Sequence, residues 1–130
     1  MKNLILFCLL ISSPVFADED PTLLPERYAQ LGLEPLEQVF DFEFTRFRDG
    51  DRQSLVFKTR GREIYLLVFD RPISPRNKAV RINDRNLRVG FTRVWVTDRD
   101  VTLSRRLEAI YQIENKEQEN EILKFLRAND

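Results

Sequence analysis

Between residues 71 and 93 the chain sets Arg71, Arg76, Lys78, Arg81, Arg85, Arg88 and Arg93 against a single acid, Asp84. A guanidinium presents a planar fork of N–H donors that matches carboxylate and phosphate. A surface built from Arg76, Lys78, Arg81, Arg85 and Arg88 would therefore bind an anion, whether a carboxylated glycan, a lipid head group or an acidic protein. The opposite charge also lies within the chain, because residues 18–43 carry eight acidic side chains and only Arg27 as a base. The same arginines could pair with that segment, or simply keep one sheet face wet. Exposed ion pairs contribute only about 0–1 kcal/mol, so charge alone does not separate the readings.

Covalent and metal chemistry meets a compositional barrier. The chain has no histidine, and its one cysteine is Cys8. Serine–histidine and cysteine–histidine nucleophiles and histidine-bound metals are excluded, and no cofactor is expected. Ser74 and Lys78 share a proline-containing loop, not the helical spacing of a serine–lysine pair. No glycine-rich phosphate loop is present. Asp49-Gly50-Asp51 and Asp98-Arg99-Asp100 resemble fragments of calcium loops. Calcium takes six to eight oxygens, so both read more simply as hairpin turns. Paired carboxylates could hydrolyse a glycoside, but nothing in the sequence selects a pair. Trp95, the only tryptophan, stands between Val94 and Val96, and that setting predicts a buried core residue. The alternative is an aromatic platform for a sugar, made with Phe91 and Tyr111.

The first seventeen residues read as a secretory signal peptide. Lys2 is followed by an apolar run from Leu4 to Ile11, a break at Pro14 and a site for cleavage after Ala17. The run is shorter than the roughly 20 residues that span a bilayer, so no stable span is expected after cleavage. Cys8 would leave with the signal, and the mature chain would hold no thiol or disulfide. Periplasmic or secreted bacterial localisation follows. Export and a formal net charge of zero both argue against nucleic acid as partner.

Elements that could carry the arginines follow from periodicity. Residues 18–35 form an acidic, proline-containing lead-in, and residues 36–130 form a single β-rich domain with a C-terminal helix. Pro25 to Gly32 suggests a short helical turn, with Tyr28, Leu31 and Leu33 packing over an end of the sheet. Phe40, Phe42 and Phe44 alternate with polar residues, the period of a half-buried strand. Gly50 and Gly61 fall where tight reversals are needed and are expected to supply positive φ. Leu55–Phe57 and Ile64–Phe69 predict the next strands, the second apolar on both faces as a central strand would be. Ala79–Ile82 suggests a short strand, and Leu87, Val89 and Phe91 another, with a bulge or a sharp bend at Gly90. Val94–Val96 and Val101–Leu103 flank a turn. Leu107, Ala109, Tyr111 and Ile113 alternate in a closing strand. Asn115 then caps a helix with Gln118 three residues on, and Ile122, Leu123, Phe125 and Leu126 share its apolar face. The predicted fold is mainly β (α+β). It is a small, strongly bent antiparallel sheet or partly open barrel of six to seven strands, with a C-terminal helix and a short N-terminal helical turn.

Gly61-Arg62-Glu63-Ile64-Tyr65-Leu66-Leu67 and Arg106-Leu107-Glu108-Ala109-Ile110-Tyr111-Gln112-Ile113 resemble recurrent stretches in a family of small exported bacterial proteins known only as a domain of unknown function. The resemblance spans roughly residues 38–113 and implies export and a β fold, but no mechanism. Members carry cysteines where this chain has Ile73-Ser74 and Ser104-Arg105. The expectation is a non-enzymatic envelope module that binds an anionic envelope component or an acidic protein. A carboxylate-based hydrolase and an inhibitor or immunity-type protein are the alternatives.

Overall fold

In the computed structural model the described residues are 28–73 and 79–128. Nine strands follow in chain order: β1 (Glu34–Leu36), β2 (Gln38–Val39), β3 (Phe44–Asp49), β4 (Ser54–Thr59), β5 (Ile64–Phe69), β6 (Ala79–Arg81), β7 (Leu87–Arg88), β8 (Arg93–Asp98) and β9 (Val101–Ile113). Among the described residues one long helix, α1 (Lys116–Ala128), follows β9. The main sheet runs β3-β4-β5-β9-β8-β6 and is antiparallel throughout, with β1 added alongside β9. It curls into a half-barrel, and β2 and β7 form a second small sheet. The predicted bent sheet with a C-terminal helix is the observed fold.

Its centre is apolar on both sides. Every residue of β5 is buried, as the unbroken run Ile64–Phe69 requires. Leu55, Phe57, Tyr65, Leu67 and Phe69 face the inside of the curl and meet Phe42, Val94, Val96, Leu107 and Ile110. Phe57 is the hub of the aromatic part, with ring centroids 4.9 Å from Phe44, 5.7 Å from Phe42 and 6.0 Å from Phe47. Val56, Ile64, Leu66, Val68 and Ile113 face outward and are covered by Ile122, Leu123 and Leu126 of α1, together with Tyr28. Burying each such helix side chain stabilises the fold by about 1.5–3 kcal/mol.

The helix is also held by polar groups. Asn115 Oδ1 accepts from the Gln118 amide at 2.8 Å, and Gln118 Oε1 accepts from the Glu114 amide. Arg48 on β3 reaches the buried Glu119 carboxylate at 3.4 Å and donates to Asn120 at 3.2 Å. Arg127 donates to the Asp49 carbonyl. Gly50 lies where β3 turns under the helix. A Cβ there would meet Ser54 Oγ at 2.5 Å and Leu126 Cδ1 at 3.3 Å, so close approach requires glycine. Next to it, the Asp51 carboxylate accepts from the Tyr28 hydroxyl at 2.8 Å and from Ser54 Oγ at 2.7 Å. That acid is buried and structural, and it ties the turn at Tyr28 to the β3–β4 reversal.

Several local expectations change. The domain begins before residue 36: β1 pairs with β9, and Tyr28 is buried over a face of the sheet, not an end. Pro35 is tolerated because β1 is an edge strand. The Phe40–Phe44 alternation is not one strand, since Asp41 has φ +53° and breaks it, leaving Phe40 exposed and Phe42 buried. At the β4–β5 turn the left-handed residue is Arg62 (φ +72°), not Gly61. The Leu87–Phe91 strand stops after Arg88, because Gly90 at φ +87° sits in a turn that throws Phe91 into solvent. β9 is continuous from Val101, and its register with β5 shifts between Val68 and Phe69. This bulge at Glu108 puts Leu107 on the inner face with Ile110, while Ala109, Tyr111 and Ile113 face α1.

Leu126→Ala empties a fully buried site between helix and sheet and is expected to cost about 2–5 kcal/mol in urea unfolding. Phe40→Ser, on an exposed ring, is expected to stay within about 0.5 kcal/mol. Burial raises the hydroxyl pKa of Tyr65, helped by Glu63, and burial alone raises that of Tyr111. Both hydroxyls thus hold their protons longer folded than unfolded. The stability this gives is complete below the unfolded value near 10 and is lost as pH rises through the higher folded values. Alkaline titration followed by circular dichroism should show that loss, and Tyr65→Phe with Tyr111→Phe should flatten it.

Candidate functional site

The basic segment divides among three places. Arg76 and Lys78 lie outside the described residues. Arg85 follows β6 in an irregular stretch and stands 4.0 Å from Asp41, both exposed. Arg88, on β7, stacks over Phe91 with its guanidinium 4.8 Å from the ring centroid. Arg81, on β6, stacks over Trp95 at 5.2 Å.

The neighbourhood of Arg85 and Arg88 is acidic. β2 pairs with β7, the Phe42 amide donates to the Arg85 carbonyl, and the Val89 amide donates to the Glu37 carbonyl. Asn86 Oδ1 accepts from the Asp41 amide at 3.0 Å. The ladder therefore sets Glu37, Asp41 and Glu43 beside the basic strand. Intramolecular neutralisation operates here, through backbone register more than through tight ion pairs.

Arg81 has a different setting. Val94 and Val96 point into the core, so Trp95 between them points out. The expectation of a buried indole is corrected: alternation along β8 places Trp95 on the outer face, half-buried. Register extends that face across three strands. Arg81 lies opposite Trp95, and Ala79 opposite Thr97. Trp95 lies opposite Ser104, Thr97 opposite Thr102, and Arg93 opposite Arg106. Arg93 donates to Ser104 Oγ at 3.2 Å, and the Thr97 and Thr102 hydroxyls are 3.0 Å apart. Arg106 leans toward Asp70 at 3.9 Å. Among the described residues no carboxylate pairs with Arg81 or Arg93. A dip of about 230 Å³ opens here, lined by Ala79, Val80, Arg81, Trp95, Thr97 and Thr102.

The trio Trp95, Phe91 and Tyr111 is not assembled. Phe91 belongs to the turn after β7, and Tyr111 stacks on Tyr28 at 6.3 Å on the part of the sheet under α1. Sequence reasoning counted Arg93 in the basic run but left it out of the candidate contacts, and missed Thr97, Thr102 and Ser104 as companions of Arg81. The signal was available in the alternation Arg93-x-Trp95-x-Thr97 and Thr102-x-Ser104-x-Arg106.

Elsewhere, Glu43 and Asp84 border a cleft of about 240 Å³ with Phe42, Phe44, Ile82, Asn83 and Arg85. Both carboxylates are exposed, and Glu43 pairs with Arg60 at 3.4 Å, so the desolvation that sets an acid and a base apart is missing. Among the described residues no group of three or more acids, cysteines or histidines could hold a metal, and no helix is long and apolar enough to cross a membrane. Comparison of the chain with family models, curated proteins and solved structures finds no match.

A half-buried indole with the Arg81 guanidinium over it and Arg93 on the same face should be quenched by charged solutes unequally. Iodide is expected to quench Trp95 emission more efficiently than caesium at equal ionic strength, since anions concentrate at a cationic face. Equal quenching would show that the arginines carry no local field.

Proposed function

We propose that this chain is an exported bacterial envelope protein, cleaved after Ala17, that acts as a non-enzymatic binding module for an anionic partner. One observation carries the reading. Arg81 and Arg93 flank an outward-facing Trp95 on the part of the sheet that the helix leaves uncovered, with no carboxylate among the described residues pairing either of them. Charges meant only to solvate a surface do not need an aromatic ring beneath them. A guanidinium stacked on indole keeps its in-plane donors free for carboxylate or phosphate. Export is supported by the pattern of residues 1–17, and the lack of histidine favours recognition over chemistry. Of the five basic candidates Arg81 is the primary contact; Arg85 and Arg88 lie beside the acidic stretch at the second sheet, and Arg76 and Lys78 lie outside the described residues.

Affinity capture of the mature protein from envelope extract tests this. A partner retained at low salt and released at high salt is expected, because exposed charge contacts are screened within about 8–10 Å at physiological ionic strength. Arg81→Glu with Arg88→Glu should abolish the salt-sensitive fraction without loss of fold. Retention indifferent to both changes would remove the cationic face from the binding event.

A further inference from the structure

We infer that the dip beside Trp95 receives one uronic acid unit of an acidic polysaccharide. This inference rests on the reading of the outer face as an anion-binding surface and assigns its ligand class. The dip measures about 230 Å³, below the roughly 300–1,000 Å³ of sites that enclose drug-sized molecules. It suits a single ring of an extended chain lying across the sheet.

Its walls supply what such a ring needs. Ala79 has the smallest side chain along the wall and leaves the depression open. Arg81 lies over one face of the Trp95 indole, so the sugar meets the remaining apolar surface of the half-buried ring, while its N–H remains a donor. The Thr97 and Thr102 hydroxyls, 3.0 Å apart, each keep donor or acceptor capacity for ring hydroxyls. Arg81, stacked at 5.2 Å, presents its donor fork at the rim, where the C6 carboxylate of a uronate would sit. Arg93, whose guanidinium donates to Ser104 Oγ, provides a second cation two residues along the same face for the next unit.

Single-stranded nucleic acid is the competing polyanion. Platforms for it stack successive bases on several aromatic rings along a basic groove. On this face Trp95 is the single aromatic side chain among the described residues of β6, β8 and β9. Tyr111, further along β9, lies in the helix-covered part. One ring and a pair of hydroxyls fit a sugar better than a run of bases.

Because Trp95 is the only tryptophan, its emission reports on this site alone. The purified protein is titrated with a hexamer of galacturonic acid, with a neutral hexamer of the same length, and with an oligothymidylate of equal charge. A saturable change in emission with the uronide is expected, weakening with salt, and little response to the neutral hexamer. Arg81→Gln should weaken uronide binding about tenfold, the scale of one charge-assisted contact, with an unchanged far-ultraviolet spectrum. Thr102→Val should also weaken it, and calorimetry on Trp95→Phe should show reduced affinity. An equal response to the neutral hexamer, tighter binding of the oligothymidylate, or an unchanged Arg81→Gln affinity would each overturn the assignment. Should the uronide fail while the Arg81→Glu, Arg88→Glu variant still loses salt-sensitive capture from envelope extract, the sugar assignment falls and the anion-binding reading stands.

Discussion

A helix and a strand of equal residue number differ greatly in length, and that mismatch organises the molecule. β9 and α1 each have thirteen residues. At about 3.3 Å per residue the strand runs some 43 Å, whereas at 1.5 Å per residue the helix reaches only about 20 Å. Whatever its direction, α1 can cover less than half of the outer surface that β9 supports. It covers β4, β5 and the C-terminal part of β9, with Arg48 of β3 reaching Glu119, and β5 beneath it is apolar on both faces. The outer surface of β6, β8 and the N-terminal part of β9 is left to water. There the outward residues are alanine, threonine, serine, arginine and one tryptophan.

The bulge at Glu108 marks the join between these regions. Without the extra residue, strict alternation would carry Leu107 outward with Ala109 and Tyr111. With it, Leu107 and Ile110 both reach the inner core, while Ala109, Tyr111 and Ile113 reach the helix. A comparable device acts in β3, where the register shift between Phe44 and Arg46 lets Phe44 and Phe47 join the same aromatic cluster. Charge is sorted by the same topology. The acidic stretch around Glu37–Glu43 is drawn onto β7 by the β2–β7 ladder, so Arg85 is answered by Asp41, while Arg88 lies beside the same stretch with its guanidinium over Phe91. Arg81 and Arg93, on strands that this stretch does not reach, are not answered by it.

Much of this was legible in the chain because it rests on local periodicity. The central strand, the capped helix with its apolar face, and the antiparallel order followed from spacing alone. Phe40 and Phe91 misled for a shared reason. Each is spaced like a core residue, yet Asp41 and Gly90 adopt positive φ beside them and rotate the chain out of register. A non-glycine residue gives little warning that it will take that conformation. Trp95 misled differently, since neighbouring valines were read as company when in a strand they face the opposite way. Which arginines would share a face depended on long-range register, and no short stretch of sequence encodes that.

Register also explains why the open face can be precise without a cover. A slip of one residue in β8 would drive Arg93, Trp95 and Thr97 inward and expose Val94 and Val96. The Arg99-Asp100 turn opposes that slip. It closes β8 onto β9 with Asp98 opposite Val101, and Arg99 takes φ +58° at the first central position, as turns matched to strand twist require. Two fully buried valines then fix the direction of the indole from behind. The core on the inner side of β8 thus sets the geometry of the outer face, and a substitution such as Val96→Ala should disturb Trp95 through the backbone although the two side chains lie on opposite faces.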